Sequence, residues 1–219
     1  VATLLTLRTS VRAYLGTSEN DRAFASPRLT QWINDAYHEL VADLPGSYLL
    51  TRATLTADSA TGRVYSLATQ ATPITTWRQF RDVRLAVADG ATGQGAQLEE
   101  VDRADLESWR GACYSVYGSD AAVQVETSPD VQAGADLDVL YTYWPTDLSD
   151  DADSPSVIPA QFHDLIALEA ARLAFPSGGE GRWPADYETR RIDRRAQFVH
   201  HCGQRGGTPS VQRVRDPNW

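Results

Sequence analysis

The stretch SPRLTQWINDAYHELVADLPG, residues 26–46, decides how the chain begins to fold. Leu29, Trp32, Ile33, Ala36, Tyr37, Leu40 and Leu44 recur at steps of three and four, the period of a helix with one apolar face. Ser26 before Pro27 reads as an N-cap followed by proline at the first helical position, and Pro45-Gly46 ends the helix. Upstream, Leu4, Leu7, Val11 and Leu15 form a second helical stripe that Gly16 is placed to stop.

From Ser47 onward the period falls to two. Tyr48–Thr56 alternates, and Arg63–Leu67, Arg81–Val87, Ala122–Glu126 and Leu137–Tyr143 are short β-branched or aromatic runs between turn-forming residues. Ala91–Ala96 reads as a loop or hairpin tip, and Val101–Trp109 as one short helix capped by Asp102. Helical patterning returns after the acidic segment Pro145–Pro155. Pro159 opens a helix with Phe162, Leu165, Ile166, Ala170 and Leu173 on its face, and Pro176 closes it. A glycine-rich loop, Ser177–Arg182, precedes a last helix from Pro184 to about Cys202. The expected class is α+β. A four-helix bundle (1–46 and 146–202) carries an inserted antiparallel β domain (47–145), a small sheet or open barrel, and ends in an extended arm (203–219).

Composition narrows the function. All 20 basic residues are arginine and 29 residues are acidic, for a net charge of −9. Without lysine there is no Walker A loop, Schiff-base lysine or Ser-x-x-Lys nucleophile. Cys113 and Cys202 lie far apart, which disfavours a disulfide framework and fits a reducing compartment. Nothing reads as a signal peptide or membrane span, and Val1 reads as the residue left after an initiator Met. The charge is uneven: residues 182–219 are net basic and the rest strongly acidic. An acidic body disfavours tight nucleic-acid binding, which needs clustered cations.

No enzyme site emerges. His200-His201-Cys202 lacks further ligands at metal spacing, and adjacent helical residues point about 100° apart. Asp147, Asp150, Asp151 and Asp153 lack the glycine and glutamate of a calcium loop and read as turn formers. Gly90–Gly95 has the wrong glycine order for a dinucleotide loop. His38 and His163 adjoin Glu39 and Asp164, but helical neighbours do not face each other. Catalytic residues, cofactor and metal are all expected to be none.

The last helix and the tail carry the candidate contacts. With Ile192 taken as facing the bundle, Ala185, Ala196 and Val199 join it, while Tyr187, Arg191, Arg194 and Phe198 face outward. Aromatic residues and arginine are favoured at interface cores, so these four are candidate partner contacts. In the arm, Arg205, Arg213 and Arg215 offer forked hydrogen bonds to partner carboxylates. Val211, Val214 and Trp219 suit apolar pockets.

Two blocks bracketing the β region carry a resemblance. LLTLRTSVRAYLG with SPRLTQWINDAYHELVADLP, and LDVLYTYWPTDLSDDADSPSVIPAQFHDLIALEAARLA, resemble the head-to-tail adaptor family of tailed phages. The most specific positions are Trp32, Ile33, Asn34, Ala36 and Tyr37 in the first block. In the second they are Tyr141, Pro145, Leu148, Asp151, Asp153, Pro155 and Pro159. The resemblance implies a structural neck protein of the virion, made in the host cytoplasm. It implies a ring of identical subunits, usually a dodecamer, beneath the portal protein and joined to the next neck or tail protein. Genomic DNA would pass through its channel without specific binding, and no membrane is involved. Two other classes stand beside it: a surface or glycan-binding module using Tyr48, Tyr65, Trp77, Trp109, Tyr114 and Tyr117, and a small hydrolase holding a metal on the Asp cluster.

Overall fold

The computed structural model describes residues 1–19, 21–57, 62–70, 74, 77–85, 97–118, 123–178 and 183–205, with backbone alone for 77–85 and 205. It is a mixed α+β chain. Two compact units divide it: Val1–Tyr48 together with the chain from Pro145 onward, and Leu49–Trp144.

The first unit holds the helices. α1 (Leu4–Leu15) starts at Thr3, whose hydroxyl accepts from the Thr6 N–H. It ends at Gly16 with φ 66°, a left-handed cap that lets the next N–H groups turn back onto Ala13 and Arg12. α2 (Ser26–Ala42) buries Leu29, Ile33, Ala36, Tyr37, Leu40 and Val41. α3 (His163–Ala174) follows a 3-10 turn at Ala160–Phe162, and α4 spans Ala185–Arg205. α1, α2 and α4 all pack on α3. That explains why α3 is buried on almost every side, with Leu165 to Ala171 unbroken by an exposed position. A helix apolar all round belongs at the centre of a bundle-like group.

Two polar clamps fix the loops to this group. The buried Asn34 amide donates to the Leu148 carbonyl at 3.1 Å and accepts from the Leu148 N–H at 2.9 Å. Buried His163 accepts from the Ala2 N–H at Nδ1 (3.1 Å), and its Nε2 meets the Ile158 carbonyl at 2.9 Å. The first clamp ties the acidic segment to α2, and the second ties the N-terminus to the turn before α3.

The second unit is two sheets. The three-stranded sheet has the order β1 (Leu50–Leu55), β7 (Leu137–Tyr143), β3 (Trp77–Leu85). The four-stranded one has the order β2 (Val64–Ser66), β6 (Gln124–Thr127), β5 (Cys113–Tyr117), β4 (Glu99–Glu100). Leu50 pairs with Thr142, so the chain enters and leaves this unit on neighbouring antiparallel strands. Leu55, Tyr65, Leu67, Tyr114, Val125, Leu137 and Val139 are among its core. Gly62 holds φ 61° where the backbone of residues 133–134 crosses it, and a Cβ there would lie 2.1 Å from the Gly134 nitrogen. The buried Tyr65 hydroxyl donates across the same crossing to Ala135 at 2.6 Å.

Several expectations are corrected. The β region is not one antiparallel sheet, because β4 and β5 pair in parallel. The hydrophobic pattern predicts neither β4 nor β5, although CYSVY has the β-branched and aromatic make-up of a strand. Val101–Trp109 forms only a 3-10 turn at Arg103–Asp105, and Asp102 makes no side-chain cap. Ser26 does not cap α2 either: its hydroxyl accepts from Arg12 at 3.0 Å, and Ala25 holds the cap position. Trp32 is half-buried against Phe24 rather than in the core, unlike Tyr37. α4 continues through Gly203 to Arg205. The Ala91–Ala96 loop lies outside the described residues.

Two substitutions test these joints. Asn34→Leu leaves the Leu148 N–H and C=O unpaired and is expected to destabilise the helical unit by about 2–3 kcal/mol in chemical denaturation. Gly62→Ala meets backbone in a left-handed conformation and is expected to cost about 2–4 kcal/mol. Unchanged midpoints would contradict these roles.

Candidate functional site

α4 is the most highly charged element, and its charges are organised around one carboxylate. Glu169, on α3, has 0% exposure. Its oxygens accept from Arg191 at 2.8 Å, Arg172 at 3.0 Å and Arg195 at 3.4 Å. Arg195 also reaches Glu39 at 2.7 Å and Asp43 at 2.9 Å on α2 and its cap. Arg194 grips Asp164 with two nitrogens, at 2.7 and 3.1 Å, and donates to the Gln161 carbonyl at 2.6 Å. A buried carboxylate left alone would be costly, and the planar guanidinium fork is the group that satisfies it from several sides.

The titration behaviour follows the geometry. The hydrogen bonds that Arg191 donates to Glu188 hold its guanidinium well above its ordinary value against the effect of burial, with Glu169 adding to it. The same contact lowers Glu188. Burial opposes the charge on Arg195, yet Glu39 and Asp43 outweigh it and raise the group. Asp153 is lowered because the N–H groups of Asp150 and Ser149 donate to it, at 2.8 and 2.7 Å.

This reverses the face read from the periodicity of the last helix. Phe198 has 0% exposure and packs edge-on against Phe162 at 5.4 Å, whereas Ile192 is 53% exposed and Val199 46%. Tyr187 sits between Tyr14 and Trp183 at 5.5 and 5.6 Å. Arg191 and Arg194 are engaged with acids of their own chain. The apolar residues alone pointed to Ile192 as the inward position. The missed signal was the acids at Asp164 and Glu169 and at Glu39 and Asp43, spaced to receive arginines from a neighbouring helix. Arg205 lies at the end of α4, and Arg213, Arg215 and Trp219 fall outside the described residues, as do Val211 and Val214.

The other candidates resolve into structural parts. Asp153 closes its own loop, Asp151 pairs with Arg8, and Asp147 pairs with His38 at 3.2 Å. His200 meets Gln204, His201 meets Gln161, and Cys202 is buried. Among the described residues no group of His, Cys, Asp or Glu is set to hold a metal. Tyr65 and Tyr114, read as possible glycan contacts, are core residues. Arg103 lies over the Tyr117 ring at 3.8 Å, and Trp109 is exposed. Among the described residues no helix is long and apolar enough to cross a membrane.

The clamp between Asn34 and Leu148 joins the two sequence blocks that carry the family resemblance. A family model described as SU10 adaptor protein matches residues 2–212. The chain belongs to the SU10 adaptor protein family. No curated protein matches it. As a member of the SU10 adaptor family it is a bacteriophage structural protein. An adaptor implies contact with portal and tail proteins and a place in the virion.

Glu169→Ala removes the buried acceptor that three arginines share and is expected to lower stability by about 3 kcal/mol, with Glu169→Gln costing less. Acid gives a second test. Glu188 and Asp153 have folded-state values below their unfolded ones. Their contribution is present above the ordinary carboxylate value of about 4 and is lost as pH falls through the lowered values. Thermal scans across that window should show the loss. A melting temperature indifferent to pH there would contradict the assignment.

Proposed function

We propose that the chain is a head-to-tail adaptor that forms a ring beneath the portal, around the channel through which DNA passes, and links capsid to tail. The observation that carries the reading is the family match from residue 2 to residue 212, across both units. In this reading the helical unit is a four-helix bundle and the β unit an inserted domain directed at the next neck or tail protein. The ring holds identical subunits, twelve by family resemblance, and the protein is made in the host cytoplasm.

The physical character of the chain supports this. A net charge of −9 gives a channel wall that repels the phosphate backbone, so DNA slides through without being held. Arg191, Arg194 and Arg195 of α4 are consumed within the subunit, so they add no cationic patch to such a wall.

The C-terminal arm is the proposed portal contact. It follows α4, whose last residue, Arg205, is one anchor in this reading, with Arg213, Arg215 and Trp219 as the others. The arginines would fork onto portal carboxylates, and Trp219 would fill an apolar pocket. Ending the chain at Arg205 keeps all of α4 and is expected to abolish attachment to purified portal rings while the thermal transition stays unchanged. Trp219→Ala should weaken attachment by about 30-fold, the equivalent of a 2 kcal/mol hot spot. Full attachment by the shortened chain would overturn the docking role.

A further inference from the structure

The second unit leaves one sheet edge open. β1 stands at the end of the three-stranded sheet, with β7 on one side only. Along an antiparallel pair, the backbone groups of successive residues point alternately to the partner strand and away from it. Just past β1 the outward set is in use. The Thr56 N–H donates to Gln70 Oε1 at 2.8 Å, and Gln70 Nε2 donates to the Thr56 carbonyl at 3.2 Å. The buried Gln70 side chain thus pairs with Thr56 as a neighbouring strand would. Thr54 and Arg52 precede Thr56 on the same period of two, so their N–H and C=O groups point to the same side. Among the described residues nothing bonds those backbone groups there.

The open side is a groove of about 480 Å³ whose lining includes Ala53, Thr54, Thr56, Gln70, Ile74 and Tyr141. β1 has none of the devices that blunt an edge. It has no proline, its register with β7 runs without a bulge, and Arg52 is its one charged residue. The opposite edge of the same sheet has them. The register of β3 shifts between Trp77 and Gln79 and again between Phe80 and Asp82, and charges interrupt its sequence, WRQFRDVRL.

The same features select the occupant. Two copies of β1 paired about a two-fold axis set Arg52 opposite Arg52, like charges on one face. Sliding that register one way runs into Gln70, which already holds the Thr56 groups, and sliding it the other way runs into the 3-10 turn at Gly46–Leu49. Pairing β1 with β3 of another copy meets the two irregularities of β3. The occupant is therefore an extended segment of a different protein. Its charge follows from Arg52, which is exposed and makes no ion pair among the described residues. Asp138, across the ladder on β7, is engaged by the Thr54 hydroxyl at 3.2 Å. Asp136, next along the chain from β7, falls level with Thr56, past the stop that Gln70 makes. A residue opposite Arg52 on an added strand stands on the same face of the sheet, where a carboxylate is the complement.

We infer that the free edge of β1 receives a strand from the next neck or tail protein: an extended segment with a carboxylate opposite Arg52, bonded to the backbone of Arg52 and Thr54 and ending at Gln70. The inference rests on the adaptor reading and names the contact its β unit makes. Amide hydrogen exchange of the full-length chain is compared in three states: free, on portal-bound heads without tails, and in complete particles. The Arg52 and Thr54 amides are expected to exchange fast in the first two and about 100-fold or more slower in the third. Thr54→Pro removes one outward N–H and leaves the β7 ladder intact. It is expected to keep a thermal transition close to that of the unsubstituted chain and to cut the joining of purified tails to filled heads about tenfold or more. Arg52→Glu keeps both outward N–H groups and is expected to cut joining about fivefold. Unchanged exchange in complete particles, protection already present before tails join, or full joining by a folded Thr54→Pro chain would overturn the inference. If Thr54→Pro does not fold, the exchange of the unsubstituted chain decides. Absence of the chain from complete particles overturns the adaptor reading and this inference with it, whereas its presence there with an open β1 edge overturns the inference alone.

Discussion

Glu169 constrains the helical unit more than any other residue. It is a carboxylate with 0% exposure on the most buried helix. Its charge must be met from the neighbouring helix, and α4 meets it with Arg191 and Arg195 while α3 itself adds Arg172. That requirement sets the rotation of α4. Once the arginines point inward, Phe198 and Cys202 follow onto the same face, and Ile192, Ala196 and Val199 are left outside. The exposed apolar seam is thus a consequence of the buried charge. The ion pairs also explain an element whose composition is poor for ordinary packing: arginine stems cover apolar surface while their heads are neutralised.

A second constraint is chain connectivity. The helical unit is assembled from two segments separated by nearly a hundred residues, and they must find each other. The Asn34 clamp on Leu148, the Arg8 pair with Asp151 and the His163 bond to Ala2 are contacts of high sequence separation made by polar groups of defined geometry. Apolar burial between helices tolerates sliding, whereas a two-way amide clamp does not. The β unit meets its own connectivity demand differently. Its first and last strands are paired, so its entry and exit share one ladder.

Much of the fold was legible in the sequence. Periodicities of three and four, with Gly16 and the prolines at helix ends, located α1, α2 and α3 because each buries a continuous apolar face, and the prolines and the run between them located α4. The runs that form β1 and β7 were equally plain, Tyr48–Thr56 by its alternation and Leu137–Tyr143 by its β-branched and aromatic residues. What escaped had physical reasons. β4 is two glutamates long and exposed, so it carries no hydrophobic pattern. Parallel pairing of β4 with β5 is a property of topology, not of either strand. The face of α4 was misread because its inward side is charged and its outward side apolar, the inverse of the usual rule. The acids at Asp164 and Glu169 held the missing information, but it becomes readable only once α3 and α4 are known to be neighbours. The adaptor family was legible from the two blocks alone, because they contain the residues that hold the segments together.

Taken together, the account makes α4 a helix whose inward face is committed by its arginines to α3 and α2 within the subunit. A high-resolution cryo-electron microscopy reconstruction of the chain bound to portal rings tests this most directly. The account predicts a closed ring in which Arg191 and Arg195 remain on Glu169. A ring in which those arginines leave Glu169 to contact the portal would contradict it.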